Sequence, residues 1–262
     1  MADDRMSRVL LRLVGTLPLR DLQMIGEFEG RDFLPYPFMF TQPSRFATRD
    51  EAMAYANTVP DRFKYGDLSS FRECIAAYNA ADIRVGCHVQ YIPAVTPSVR
   101  AVAYRAGELG FFAAQRPDSD LIDIHVVSPY DLGEAIADAV TLMGPGCHQK
   151  IVVPEYAPRA KAEFDTGDFV IRHRQDPRDE FTVAASEVTA YATVQSNWRP
   201  MRTWGRDRNK EAAIWVRIHG DGEYLYARDL SHASPMTRPV LHERIDQLIG
   251  DDVAILKEFH RG

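Results

Sequence analysis

Residues 84–127 read RVGCHVQYIPAVTPSVRAVAYRAGELGFFAAQRPDSDLIDIHVV. Apolar and polar residues alternate with a period of two in four short runs: 84–92, 99–107, 109–116 and 121–127. The segments between them, PAVTPS, GELG and PDSD, are built from turn-forming residues. Runs so short, joined by connections so tight, form an antiparallel meander, because a parallel pairing needs a long crossover.

The period changes on both sides of the meander. Upstream, RVLLRLV at 8–14 reads as a first strand, and 18–27 carries Leu19, Leu22, Met24 and Ile25 at helical spacing. Pro35 and Pro37 bar a helix interior or a central strand from GRDFLPYPFMFTQP. Thr48 with Glu51, and Ser70 with Glu73, have the capping-box spacing and start helices TRDEAMAYAN and SSFRECIAAYNA. Downstream, DLGEAIADAVTLM places Leu132, Ala135, Ile136, Ala139, Val140 and Met143 on one helical face, closed by Gly144. A second strand is expected at 148–153, a helix over 179–191 with Phe181, Ala184, Val188 and Tyr191 on one face, and strand-like runs in WRPMRTWG, AAIWVRIH and EYLYARD.

A closing helix at 234–250 matches 128–144 in length, and both begin Ser-Pro and end in Gly. At that offset Leu241, Ile245, Leu248 and Ile249 fall on Ala135, Ala139, Leu142 and Met143. The recurring order of strand, helix, meander and closing helix predicts an α+β fold of one domain over 1–262. Its half-repeats would be about 8–144 and 148–250.

Bulk composition narrows the function classes. With 45 % apolar and 26 % charged residues the chain has material for a core and no long disordered tract. A net charge of −6 argues against a phosphate-tracking nucleic-acid surface. The opening MADDRMSRVLLRLVG lacks the uninterrupted apolar core of a signal peptide, and no run approaches the ~20 apolar residues of a membrane span. Cys74, Cys87 and Cys147 form no disulfide framework, so a cytoplasmic location without membrane insertion is expected. Basic residues are arginine apart from Lys64, Lys150, Lys161, Lys210 and Lys257, a skew that suggests a GC-rich genome.

Motifs for chemistry are sparse. Cys87-His88 and Cys147-His148 are adjacent pairs, and adjacent residues on a strand face opposite ways, so neither pair is expected to serve one ion. G-x-S-x-G, G-x-G-x-x-G and the P-loop pattern are missing, and the glycines of GPGCHQK read as a helix stop and turn. The expectation is a protein that is not an enzyme, with no catalytic residue, no cofactor and no metal. A hydrolase or transferase using His125, Cys87 or an acidic pair, with Cys87, His125 and Asp123 as the grouping that can be drawn, and a client-free homo-oligomeric scaffold, stand as alternatives. Apolar material does appear where loops are expected. FLPYPFMF, rich in rings, suits burial against the core. YIPAVTPSV carries Tyr91, Ile92, Val95 and Val99 around two prolines, and it can either fold back or stand out as a contact surface.

Taken in order, LPYPF, DLSSFRECIAAY, SVRAVAYRAGELGFFAAQR, IDIHVVSPYDLGEAI and RTWGRDRNKEAAIWVRIHGDGEYLYARD give a pattern that resembles the EspG family, the cytosolic chaperones of actinobacterial type VII (ESX) secretion. The resemblance runs over about 8–250 and leaves 155–180 without a counterpart. It implies a single pseudo-twofold domain with a central, largely antiparallel sheet flanked by helical bundles, and a chaperone that covers the helical tip of a secreted PE-PPE-like heterodimer. No nucleic-acid partner is expected, and a homodimer is compatible with this reading. The contacts implied are the hairpin loop from Ile92 to Val99 beside Tyr91, and a surface around Phe181, Val188 and Tyr191.

Overall fold

The computed structural model describes residues 9–31, 33–155, 181–199 and 204–260. The meander forms as read: β2 (Ile83–Tyr91), β3 (Val99–Ala106), β4 (Leu109–Gln115) and β5 (Leu121–Val127) pair in succession, each antiparallel to the last. β1 (Arg12–Pro18) lies outside β5. In the second half β8 (Val188–Asn197), β9 (Ala213–Ile218), β10 (Glu223–Tyr226) and β11 (Ala233–Pro235) repeat the pattern, with β6 (Ile151–Val152) outside β11 and β7 (Phe181–Thr182) beyond it. The continuous order is β1-β5-β4-β3-β2-β8-β9-β10-β11-β6-β7, so the two meanders run outward from a central β2–β8 pair. With its helices this is an α+β fold, antiparallel among the described residues except for β6–β7 and a bridge from Pro145 to Glu223.

Alternation along the strands puts different side chains on the two faces. One face carries Val85, Cys87, Ala101, Ala192 and Trp215 against α5 (Leu132–Asp138) and α6 (Arg238–Phe259). In α6, Leu241, Ile245 and Leu248 are spaced at successive turns and are all buried there. The opposite face of the first half buries Val102, Tyr104, Phe111 and Ile124 under α1 (Leu19–Phe28), α3 (Val59–Tyr65) and α4 (Arg72–Asn79), with α2 (Arg49–Ala56) outside them. The opposite face of the second half packs Ile214, Val216 and Tyr224 with Ile151 and Val183.

Helix ends are closed by arginines from elsewhere in the fold. Arg84 of β2 donates to the carbonyls of Tyr78 and Asn79 at the end of α4. Arg238 does the same for Ala137 and Val140 at the end of α5. Each cation adds a donor to carbonyls of the last turn or just past it and sits at the negative end of the helix dipole. At α2 the capping pair works: Thr48 accepts from Glu51 N–H at 3.2 Å, while the Glu51 carboxylate accepts from Ala47. The Ser70–Glu73 pair does not, because 69–71 is a 3-10 turn and α4 begins only at Arg72.

Further expectations change, among them the closing helix, which spans Arg238–Phe259 rather than 234–250, and the strand expected at 148–153, which is Ile151–Val152. The first strand starts four residues later than the apolar run suggests, leaving Leu10 and Leu13 exposed, because a bulge at Val14 and the close approach of Gly15 to the Phe71 ring set its register. A Cβ on Gly15 would stand 2.9 Å from that ring. The helix expected to reach Met143 ends at Asp138, since the Met143 and Gly144 N–H groups are taken by the Glu223 carboxylate instead. Thus Met143 is 77 % exposed, whereas Ile249, its counterpart in the closing helix, is half-buried against the core. Residues 181–191 are not helical: Ala185–Glu187 is a short 3-10 turn, and the strand β8 starts at Val188.

FLPYPFMF does fold inward, burying Leu34, Tyr36 and Phe38. Tyr36 lies across the central strands, its hydroxyl 3.3 Å from Thr193 Oγ1 and its ring edge-on to His88. Burial, and then the Arg100 charge, push the His88 pKa down to about 4. An unfolded histidine titrates near ~6.5, so between those values the unfolded chain binds the extra proton. The stability this neutral imidazole contributes is present above about pH 6.5 and lost as the pH falls toward 4. His125 is shifted downward by burial as well and adds in the same sense. In urea unfolding at pH 7.5 and pH 5, His88→Gln should show a smaller pH-dependent drop in midpoint than the parent; an equal drop would assign the effect to other groups.

Candidate protein-binding hairpin

β2 is held on both sides, by β3 and by β8, so the loop at its end is carried by the most firmly paired part of the sheet. Ile92 N–H extends the ladder by donating to Thr189 at 2.8 Å. Beyond it, the prolines at 93 and 97 remove backbone donors and the loop leaves the sheet. Val95 stands at the tip with 83 % of its surface exposed, and Ile92 with 38 %. An apolar residue so exposed on a rigid support is the kind of group a partner covers.

Alternation gives the hairpin two flanks. On the helix side, Tyr91 and Val99 are half-buried against the central cluster, and the Arg217 guanidinium lies 5.5 Å from the centre of the Tyr91 ring. There a hollow of about 310 Å³ is lined by Leu11, Pro97, Val99, Phe112 and Ala139. On the other side a hollow of about 370 Å³ is lined by Gln90, Ile92, Tyr191, Arg206, Ile214 and Leu230. The loop tip thus stands between two shallow, mainly apolar depressions.

Of the residues singled out from the sequence, Tyr91, Ile92, Val95, Val99 and Tyr191 come together around this loop. Val188 does not reach the surface. It is 1 % exposed and packed with Ile218 and Val216, because a bulge between Val188 and Ala190 turns it into the core. Its assignment to a contact surface rested on a helix that the chain does not form. Phe181 is exposed but lies in β7 at the sheet's outer edge, stacked on His148 at 3.9 Å rather than lining either hollow. Arg206, Ile214 and Leu230 were not legible as neighbours of the loop, since they are separated in sequence and meet only through the β8–β9–β10 pairing.

The alternative catalytic grouping does not assemble. Cys87 is buried, and burial alone pushes its pKa up to about 12, which leaves the thiol without nucleophilic character. Register places Cys87 beside Ala101, Ala101 beside Ala114 and Ala114 beside Asp123, so two strands intervene. Asp123 is engaged by Arg116 at 2.8 Å and Thr16 at 2.6 Å, the arginine holding its pKa below the usual carboxylate range. Cys147 and His148 also depart from expectation: they occupy a bend rather than a strand, and both approach Asp221. Among the described residues no helix is long and apolar enough to cross a membrane.

No family model matches the chain, and no curated protein does. Among solved structures it is similar to the Mycobacterium tuberculosis type VII secretion system chaperone EspG5, determined in complex with a PE25–PPE41 dimer. The likeness has a TM-score of 0.49 at 11 % identity over 90 % of this chain and 95 % of that one. At that level neither partner nor residue roles carry over.

Proposed function

We propose that this chain is a cytosolic binding protein of the EspG type, which shields the helical tip of a PE-PPE-like heterodimer before its secretion. The observation that carries the reading is the exposed apolar tip of the β2–β3 hairpin, Ile92 and Val95, held between two hollows by the centre of the sheet. The resemblance of the sequence over about 8–250 to the EspG family supplies the class of client. A secreted helical hairpin with an apolar end aggregates unless that end is covered. Covering it removes apolar area from water at roughly 25 cal/mol per Å², less the cost of association. A lasting complex would bury on the order of 1,000 Å² or more, which the hairpin and its two flanks together can supply more readily than the tip alone.

No bond is made or broken in this mechanism. The rigid β2–β3–β8 core presents the tip without a large ordering cost, and the depressions on either side accept side chains from the client. Hydrogen–deuterium exchange tests it. Adding a co-expressed helical heterodimer should slow exchange at 94–98 and leave the α4 amides unchanged; a bound client that leaves 94–98 unprotected would remove the hairpin from the interface.

The same reading includes an origin by duplication of 8–144 and 148–250 within a single domain. Support comes from the strand order outward from β2–β8, in which the first strand of each half lies beyond the last strand of its meander. The closing helices are less alike, α5 spanning 7 residues and α6 spanning 22.

A further inference from the structure

Cys147, His148 and Asp221 lie 74 residues apart in sequence at the extremes, yet their donor atoms fall within 4.8 Å of one another. The fold builds this meeting from backbone. Gly146 sits against the Tyr224 ring so closely that a Cβ there would fall 1.9 Å from Cζ, and a Cβ on Gly222 would fall 2.7 Å from the Gly144 carbonyl and the Gly146 nitrogen. Two residues without side chains therefore let the 144–148 bend press onto the turn between β9 and β10. Cys147 N–H donates to Asp221 Oδ1 at 2.8 Å, and His148 N–H donates to the Tyr224 hydroxyl at 3.0 Å. Tyr224 OH in turn donates to Asp221 Oδ2. The His148 ring lies flat on Phe181, with planes 4° apart, which fixes its orientation.

We propose that Cys147, His148 and Asp221 form a binding site for a zinc-class divalent cation. Sulfur, imidazole nitrogen and carboxylate oxygen suit a borderline metal and not calcium or magnesium, which take oxygen ligands. Bond lengths of about 2.0–2.3 Å in a tetrahedron put neighbouring ligand atoms roughly 3.3–3.8 Å apart, so side-chain rotations of about 1 Å close the site. Binding exchanges the Cys147 thiol proton for the metal, one proton leaving to solvent per ion. The Tyr224 hydroxyl holds the second carboxylate oxygen and orients the ligand from behind. Three protein ligands leave one position open on the exposed Cys147 side. Register places this turn at the same end of the sheet as the 92–98 loop, since Tyr91 pairs with Ala190 and Ala190 with Arg217. The inference is independent of the proposed function.

Cobalt titration reads it directly, because a thiolate–Co²⁺ bond gives a near-ultraviolet charge-transfer band that histidines and carboxylates alone do not. The full chain should develop that band with one equivalent of Co²⁺ and lose it on adding Zn²⁺. Cys147→Ser should abolish it, whereas Cys74→Ser should not, since Cys74 is buried and donates to the Phe71 carbonyl. His148→Ala and Asp221→Asn should each weaken Zn²⁺ binding on the order of 100-fold in chelator competition. No thiolate band, or a band unaffected by Cys147→Ser, would overturn the assignment. Far-ultraviolet circular dichroism of each variant guards against reading a folding defect as lost binding.

Discussion

Replacing Glu223 by alanine is expected to destabilise the protein by about 3–5 kcal/mol, the cost typical of removing one partner from a buried charge pair. Glu223 is fully buried, at 0 % exposure. Its carboxylate accepts from Arg217 at 2.7 Å and from the backbone N–H groups of Met143 and Gly144 at 3.0–3.1 Å. Its own backbone carries further bonds, accepting from Gly146 and Met236 and donating to Gly144. The side chain therefore joins the connector after α5 to the β9–β10 hairpin, and alanine would leave a guanidinium and two amides without that acceptor. Arg217 also donates to Thr141, so part of its hydrogen bonding survives and the loss stays within the range given. Against a total stability of about 5–15 kcal/mol this is a large fraction, and urea unfolding measures it. A loss under about 1 kcal/mol would mean the connector is anchored by other contacts. Glu223→Gln should fall between, since an amide oxygen still accepts one bond while Arg217 loses its counter-charge.

The same carboxylate shows why part of this architecture is hidden from sequence reading. Helical periodicity in DLGEAIADAVTLM continues past Asp138, and nothing local announces that an acid 80 residues away captures the Met143 amide. Four meander strands were legible because alternation and turn residues agree at every boundary from 83 to 127. β8 was not, because Phe181, Ala184, Val188 and Tyr191 satisfy helical spacing while the following TVQSN contains the strand signal. The β1 shift has a similar cause: its residues RLVGTLP include the glycine and proline that ordinarily punctuate a strand, whereas the more apolar VLL before them is largely left outside. The apolar character of the hairpin loop could be read, because apolar residues between prolines are unusual in a connection, whereas both folding back and standing out were open to it on the sequence alone. The hollows beside it could not be read, since their walls come from strands and loops distant in sequence. Cys147 and His148 are wrongly set aside as a ligand pair on the sequence alone, because the rule that adjacent residues diverge holds on strands, and these lie on a bend.

A change at the hairpin should act on binding and leave the fold in place. Ile92 and Val95 are partly or largely exposed, and the loop's only ladder bond from this pair is the Ile92 backbone donor, which an aspartate retains. Carboxylates at both positions would have to be desolvated beneath an apolar client surface without a partner, an outcome the interface cannot accommodate cheaply. The fold should be unchanged, with substitutions at such exposed positions altering stability by about 0.5 kcal/mol or less. Val188→Asp makes the contrasting case: it should damage folding, because that side chain lies in the second-half core.

The most direct measurement is the dissociation constant of the helical heterodimer co-purified from the native host, determined by calorimetry against the parent chain and against Ile92→Asp/Val95→Asp. The double variant should keep its melting temperature and bind on the order of 100-fold more weakly. Equal affinity in a correctly folded double variant would contradict the claim that this hairpin tip is the surface that takes the client.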